Sequence, residues 1–261
     1  MSNIKELNIQ QIMQLYNQYE RRVIDDSNGR VETSPSIARV VSNQAYGSYI
    51  AYFDFAADQT DSQIQQQVDY FSNLGIGFEW KTYATDQPKN IESSLLAHGF
   101  VQEEQEAFMV LDIDAVESQP AHSAGLQRIK DEQGIRDAIQ VQQQVWKQDF
   151  DWHYRQLCEQ LNKAPESISI YVMYDSGQPV SSAWITFKEN SPFAGIWGGS
   201  TVPSHRCRGH YSALLQQRIH EAKSRGKRYL TIDASDMSQP IVAKSGFQLI
   251  THTRGYSFNP S

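Results

Sequence analysis

Two stretches of this chain share one order of punctuation, and that order limits what it can fold into. A helical run ends at a glycine, a strand follows, then a turn holding proline, a short helix and a Gly-Phe pair. The order closes once at Gly99-Phe100 and again at Gly246-Phe247. In the first pass, residues 61–74 read as a helix stopped by Gly75 and residues 77–83 as a strand. Asp86-Gln87-Pro88 then opens a helix that runs to His98. In the second, the helix ends in Lys223-Ser224-Arg225-Gly226, a basic last turn with a C-cap glycine, and Arg228 to Asp233 alternates as a strand. Pro240 stands as a first helical residue, and a short helix from Ile241 to Ser245 stops at Gly246, before strand Phe247 to Ile250. Strands and helices alternating at this spacing predict an α/β chain, and their recurrence predicts a diverged internal repeat. Two unrelated α/β halves with common punctuation are the other reading.

The remainder of the chain fits two such halves. Residues 5–23 carry Leu7, Ile9, Ile12, Leu15, Tyr16 and Tyr19 at helical spacing, and 37–55 reads as two strands broken near Gln44 to Ser48. Phe100 to Leu111 is a strand or hairpin. Asp112 to Gly125, with Ser118, Gln119, Pro120 and Ser123, is polar and unpatterned, as a linker is. A strand at 126–130 and helices at 132–146 and 152–161 follow. The strands 167–174 and 180–187 then pair across the turn Asp175-Ser176-Gly177-Gln178. A chain of 261 residues suits two domains, here 1–118 and 119–261. Charge divides with them. Residues 121–261 hold sixteen basic and twelve acidic side chains, a net +4, and the first 120 hold seven and eighteen, a net −11.

The same numbers exclude several classes. No apolar run could span a membrane, and Met1 to Leu7 shows no signal-peptide core. Two cysteines, Cys158 and Cys207, make a disulfide framework unexpected and a cytoplasmic protein the default. No basic patch is interleaved with aromatics, which disfavours nucleic acid. No spacing of His, Cys, Asp and Glu suggests a metal.

The stretch Val202-Pro203-Ser204-His205-Arg206-Cys207-Arg208-Gly209-His210-Tyr211-Ser212-Ala213-Leu214-Leu215 carries the chemistry. An apolar strand, Ala194 to Val202, leads into a short basic loop and then a helix with Tyr211, Leu215, Ile219 and Ala222 on one stripe and Leu214 beside it. The free N–H groups at a helix start, here Gly209 to Ser212, form an anion cradle. Gly209 lets a phosphate approach the backbone, and Arg206 and Arg208 add forked donors. It is neither a Walker loop nor a dinucleotide fingerprint, since Gly-Lys-Ser/Thr and Gly-x-Gly-x-x-Gly are both absent. A surface turn with two solvated arginines is the plainer alternative.

The pattern Val-Pro-x-x-Arg-x-Arg-Gly-x-x-x-Ala-Leu-Leu resembles the coenzyme A pyrophosphate loop of the GNAT N-acetyltransferases, and the strand-helix-strand after it resembles the closing half of that fold. Together the matches span 194 to 251. The resemblance implies a GNAT-like α/β (α+β) chain with a mixed central sheet flanked by helices, in two tandem domains. The first copy lacks the basic loop, since Phe55 to Asp61 is acidic instead. It resembles a degenerate GNAT-like domain that should hold no pyrophosphate.

The resemblance further implies transfer of an acetyl group from acetyl-CoA to a primary amine by direct attack. The cofactor would lie on Thr201, Val202, Arg206, Cys207, Arg208, Gly209, His210, Tyr211 and Ser212, with backbone N–H groups near Thr201 and Val202 as oxyanion donors. A lysine-type amine, with a solution pKa of about 10.4, must lose a proton first. The strand 194–202 has no carboxylate where relatives place a glutamate, so Asp233, His205, His210 and Glu189 are the open candidates. Relatives commonly place a tyrosine where Val242 stands, which removes the expected acid; Ser235 or Ser238 would take part of that role. Asp233 and Ser235 are therefore the catalytic candidates. Tyr211 replaces a glycine or alanine of the pattern, and its ring falls on the apolar stripe. Cys207 lies between two arginines, which lowers a thiol pKa, but a nucleophile belongs at the thioester and not at the phosphates.

Gln148 to Tyr154 is dense in aromatics and acids, so Asp149, Phe150 and Trp152 are expected to grip an ammonium-bearing substrate. Helix capping by Asp151 over a core tryptophan is the alternative. The expected partner is a small-molecule amine, with no nucleic acid or membrane, in a monomer or homodimer. A non-catalytic acyl-CoA-binding module or sensor is the competing function, and an interaction protein with a relic cradle is the third.

Overall fold

A computed structural model describes residues 6–24, 29–121 and 123–260. Seven α-helices flank mixed sheet among these residues. The chain forms two compact units, neither of them one continuous segment. The N-terminal unit comprises Glu6–Met109, Asp233–Ala243 and Gln248–Ser261; the other is built on Val110–Ile232 and Lys244–Phe247. A linear cut at 118/119 differs from this partition, because residues 233–243 and 248–261 group with the N-terminal unit.

The N-terminal unit opens with α1 (Ile9–Tyr16) and one π-helical turn over Asn17–Arg21, shorter than the helix expected over 5–23, of which Lys5 lies outside the described residues. Strands β1 (Gly29–Thr33), β2 (Ile37–Ser42) and β3 (Ser48–Phe53) follow, then α2 (Thr60–Leu74), β4 (Phe78–Tyr83), α3 (Ile91–Ala97) and β5 (Val101–Asp112). Gly75 closes α2 in the left-handed region, φ 67°, with its N–H on the carbonyls of Phe71 and Ser72. The strand order is β1-β2-β3-β4-β11-β5. The last strand of the chain, β11 (Gln248–Phe258), therefore completes the first unit. It runs antiparallel to β4, with Gly255 opposite Lys81 and Tyr256 opposite Trp80. One face of this sheet buries Trp80, Phe78, Phe71, Phe100 and Tyr256 in an aromatic core.

The second unit begins with β6 (Leu126–Ile129), α4 (Glu132–Trp146) and α5 (Asp151–Lys163). Asp131 caps α4 by accepting the Gly134 N–H at 2.8 Å. Strands β7 (Ile168–Asp175), β8 (Gln178–Phe187) and β9 (Phe193–Thr201) form a meander, followed by α6 (His210–Ser224), β10 (Tyr229–Ala234) and α7 (Gln239–Lys244). The order is β10-β9-β8-β7-β6. Ser176 and Gly177, φ 52° and 78°, make the tight turn between β7 and β8 that the sequence signals. Pro240 is the second residue of α7 rather than its first, and the Phe247 strand begins one residue later and runs to Phe258.

Helix α6 departs from a purely apolar stripe. Leu214, Leu215, Ile219 and Ala222 are buried, but so are Arg218 and Glu221. Glu221 accepts from Ser169 and Tyr171 hydroxyls at 2.7 and 2.6 Å and from Arg225 at 2.6 Å. Burial and this carboxylate push the Tyr171 phenol up to about 12.

Candidate functional site

In the second unit β9 and β10 run parallel for only three pairs, ending at Gly195 opposite Thr231, although β9 continues to Thr201 and β10 to Ala234. Past Gly195 the β9 edge that faced β10 has lost its partner. On its other edge β9 stays paired with β8 through a shift in register between Ser182 and Trp184. The shift falls at Gly198, φ 61°, where the Trp184 ring fills the space of a Cβ at 2.0 Å.

The register decides which N–H groups remain available. The Val202 N–H donates to the Val180 carbonyl at 3.0 Å, so Val202 cannot serve as an oxyanion donor. With Thr201 opposite Ser181, that bond makes 201/181 a non-hydrogen-bonded pair, and the Thr201 N–H points to the edge away from β8. The Thr201 carbonyl accepts from Arg206 Nε at 3.2 Å.

The loop after β9 leads into an open helix start. Pro203–His205 form one 3-10 turn, Cys207 and Gly209 sit in the left-handed region at φ 61° and 83°, and α6 starts at His210. The first helical bond recorded at this end joins the Ala213 N–H to the Gly209 carbonyl at 2.9 Å, which leaves His210, Tyr211 and Ser212 ahead of the ladder. A Cβ on Gly209 would meet nothing within 4 Å, so the space before these N–H groups is open. Arg206, Cys207 and Arg208 are exposed. Arg208 lies 3.6 Å from Asp175, which also faces His205 Nε2 at 3.5 Å. An open helix start beside two exposed guanidinium groups fits a pyrophosphate.

The segment expected to hold substrate is partly structural. Asp149 accepts the Asp151 N–H at 2.8 Å, so Asp149, and not Asp151, serves the start of α5. Phe150 packs against the core with Leu157 and Trp184. Trp152 is no core residue: it is 41% exposed and stacks on His153 at 4.7 Å and 8°. His153 meets Trp184 edge-on at 4.9 Å, and burial pushes its imidazole down to about 4.

The catalytic candidates fall in the N-terminal unit. Asp233 is 6% exposed and its Oδ2 holds Lys81 Nζ at 2.6 Å, a poor position for a free base. Ser235 Oγ lies 3.2 Å from Ser238 Oγ, and the Ser235 carbonyl accepts the Gln239 N–H at the start of α7. Val242 is fully buried. Glu189 is exposed.

The N-terminal unit repeats the split without the cradle. Strands β3 and β4 are parallel for three pairs, ending at Ile50 opposite Trp80. Arg21 fills the widening beyond. Its Nε donates to the Ala51 carbonyl at 2.9 Å, and its other nitrogens grip both Asp86 oxygens at 2.7 and 2.8 Å under the Tyr83 ring. No sequence pattern marked Arg21 or Lys81, and Asp86, read as opening a helix, instead binds Arg21 while that helix starts at Ile91; these pairings come from elements far apart in the chain.

Comparison with known proteins agrees with this geometry. The family model described as Acetyltransferase (GNAT) family matches residues 133–247. A GCN5-related N-acetyltransferase from Kribbella flavida superposes with a TM-score of 0.68 at 13% identity, covering 96% of this chain and 95% of that one. A GCN5-related N-acetyltransferase from Sphaerobacter thermophilus gives 0.61 at 16% identity, covering 86% and 76%. A tandem GNAT protein from the clavulanic acid biosynthesis pathway gives 0.60 at 10% identity, covering 91% and 86%. At these identities the structures establish a shared fold. No curated protein matches the sequence. No helix among the described residues is long and apolar enough to cross a membrane. The match over 133–247 contains the split strands and the basic loop, and that stretch is what the chain shares with the GNAT acetyltransferase family.

Proposed function

We propose that the protein is an acetyl-CoA-dependent N-acetyltransferase that acts on a primary amine of a small molecule. The observation that carries this reading is the open helix start at Gly209, beside the unpaired edge of β9. The pyrophosphate would rest on the N–H groups of Gly209 to Ser212, with Arg206 and Arg208 as charged donors and Cys207 and His210 supplying backbone only. When bound, the cofactor supplies an acetyl thioester as the electrophile. The Thr201 N–H is then the donor for the oxyanion, since Val202 is already bonded. Trp152, standing exposed on neutral His153, offers an aromatic face to a cationic acceptor. Asp149 would add negative charge beside it, and Phe150 would hold that segment on the core. The domains read from sequence, 1–118 and 119–261, would be a degenerate and an active copy. Arg21 in the split of the first copy supports that assignment.

A buried valine at 242, where the family resemblance leads one to expect an acid, favours a second reading, a non-catalytic acyl-CoA-binding module. Incubation of the protein with acetyl-CoA and a panel of primary amines separates the two. Release of free thiol that depends on one amine supports transfer. Cofactor binding without release on any amine supports the module.

A further inference from the structure

A single extra residue in β9 decides which backbone N–H faces the unpaired edge. Trp184 lies opposite Trp197, yet Ser182 lies opposite Ser200, so Gly198 and Gly199 together face Ala183. In the register set at Trp184, Thr201 would fall opposite Val180. Its N–H would then take the bond that the Val202 N–H makes to the Val180 carbonyl. The bulge moves the strand on by one residue and leaves the Thr201 N–H to the edge. Whatever holds the bulge therefore chooses the donor.

A side chain of α4 holds it. Gln142 is 3% exposed, in a stretch of that helix where Ala138, Ile139 and Val141 are also buried. A buried amide is costly unless its polar atoms find partners, and a glutamine amide has two donors and two acceptor positions to fill. Here all four are used. Nε2 donates to the Gly198 carbonyl at 2.6 Å and to Ser182 Oγ at 2.8 Å. Oε1 accepts from Ser200 Oγ at 3.0 Å and from Trp146 Nε1 at 3.2 Å. The amide thus ties down the residues on both sides of Gly199 and the β8 residue opposite Ser200. The extra residue of a bulge is left without a ladder partner, and Gln142 supplies a donor to the Gly198 carbonyl there. An apolar side chain of the same size would fill the space without fixing the register. All of these residues belong to the second unit, as does the basic loop.

We propose that Gln142 is a positioning residue for acetyl transfer: it fixes the bulge of β9 and so presents the Thr201 N–H to the thioester oxygen. The inference rests on the acetyl-CoA reading above. Gln142 acts through Gly198 and Ser200 rather than by contact with the acetyl group. Negative charge grows on the thioester oxygen as the amine attacks, and a donor displaced by about 1 Å loses much of its effect.

The test uses the full chain and acetyl-CoA isotope-labelled at its acetyl carbonyl. Difference infrared spectra of the bound thioester report the hydrogen bond to its oxygen, and no acceptor is needed. In the wild type the carbonyl band should move to lower frequency on binding. In Gln142→Met, which keeps the volume and loses the bonds, that shift should be lost, while calorimetric affinity for acetyl-CoA stays within about threefold. Ser200→Ala removes one of the four bonds and should lose part of the shift. Trp146→Phe leaves the bonds to Gly198 and Ser200 and should keep it. Hydrogen exchange of the protein without cofactor is the second measurement. The Thr201 amide should exchange fast and the Val202 amide slowly, and in Gln142→Met the two should become alike. A full shift in Gln142→Met and Ser200→Ala, or exchange unaltered in Gln142→Met, overturns the proposal. A wild type that binds no acetyl-CoA would instead remove the transfer reading, and the exchange comparison would still decide whether Gln142 sets the register.

Discussion

His153 shows how a single residue can report on its surroundings. It is held between Trp152 and Trp184, and burial keeps its imidazole neutral down to about pH 4. In the unfolded chain it takes a proton near 6.5. A depressed folded pKa means the unfolded state binds the proton first. The stabilisation is therefore complete above pH 6.5 and is lost as pH falls towards 4. The difference is about 3 kcal/mol at full extent. Denaturant unfolding across this range should show that slope in the wild type and a flatter one in His153→Gln. Equal slopes would mean that water reaches the ring. Nothing in the sequence announced this pairing. The aromatic density of 148–154 was legible, but the partner Trp184 lies three elements away on β8.

At the scale of elements the loop before α6 was the most legible part of the molecule. Its chemistry is local, and glycine, two arginines and a helical stripe are all contiguous in sequence. Gly209 is needed there for its backbone, since φ is 83° and a Cβ would find open space. Gly209→Ala should lower folding stability by about 1 kcal/mol, the cost of a left-handed alanine. It should weaken acetyl-CoA binding as well, because the methyl group stands where the phosphates would approach. Denaturation and titration of the same variant check both, and full affinity would place the phosphates elsewhere. The backbone N–H left free at the end of β9 was less legible. Sequence marks the end of β9 but not its register, and it is the register that spends the Val202 N–H on Val180 and leaves that of Thr201. Likewise the stripe of α6 hides Arg218 and Glu221, whose burial depends on the strands beneath them.

At the scale of the whole molecule, local pattern gives the elements and their order, but not which sheet a strand joins. The chain ends in a strand that reads as the close of its second half, yet β11 pairs with β4 and buries Tyr256 in the aromatic core of the N-terminal unit. Removal of residues 248–261 should therefore disrupt the first unit. Hydrogen exchange at the β4 amides, slow in the full chain, should become fast in the truncated one. Persistent protection of β4 would show that the first unit stands without β11. The punctuation shared by the two halves was visible in sequence, and each unit contains a parallel pair that separates after three residues. The two openings differ in what stands at them. Arg21, bound to Asp86 and Ala51, occupies one. The other leads to the exposed Arg206, Arg208 and Gly209.

The central claim is that this second opening holds acetyl-CoA by its pyrophosphate. Calorimetric titration of acetyl-CoA into the wild type and into the Arg206→Ala/Arg208→Ala double variant tests it most directly. The account predicts one site per chain in the wild type and an affinity at least about tenfold weaker, or about 1.4 kcal/mol, in the variant. Equal affinity in the two proteins, or no binding by the wild type, would contradict it.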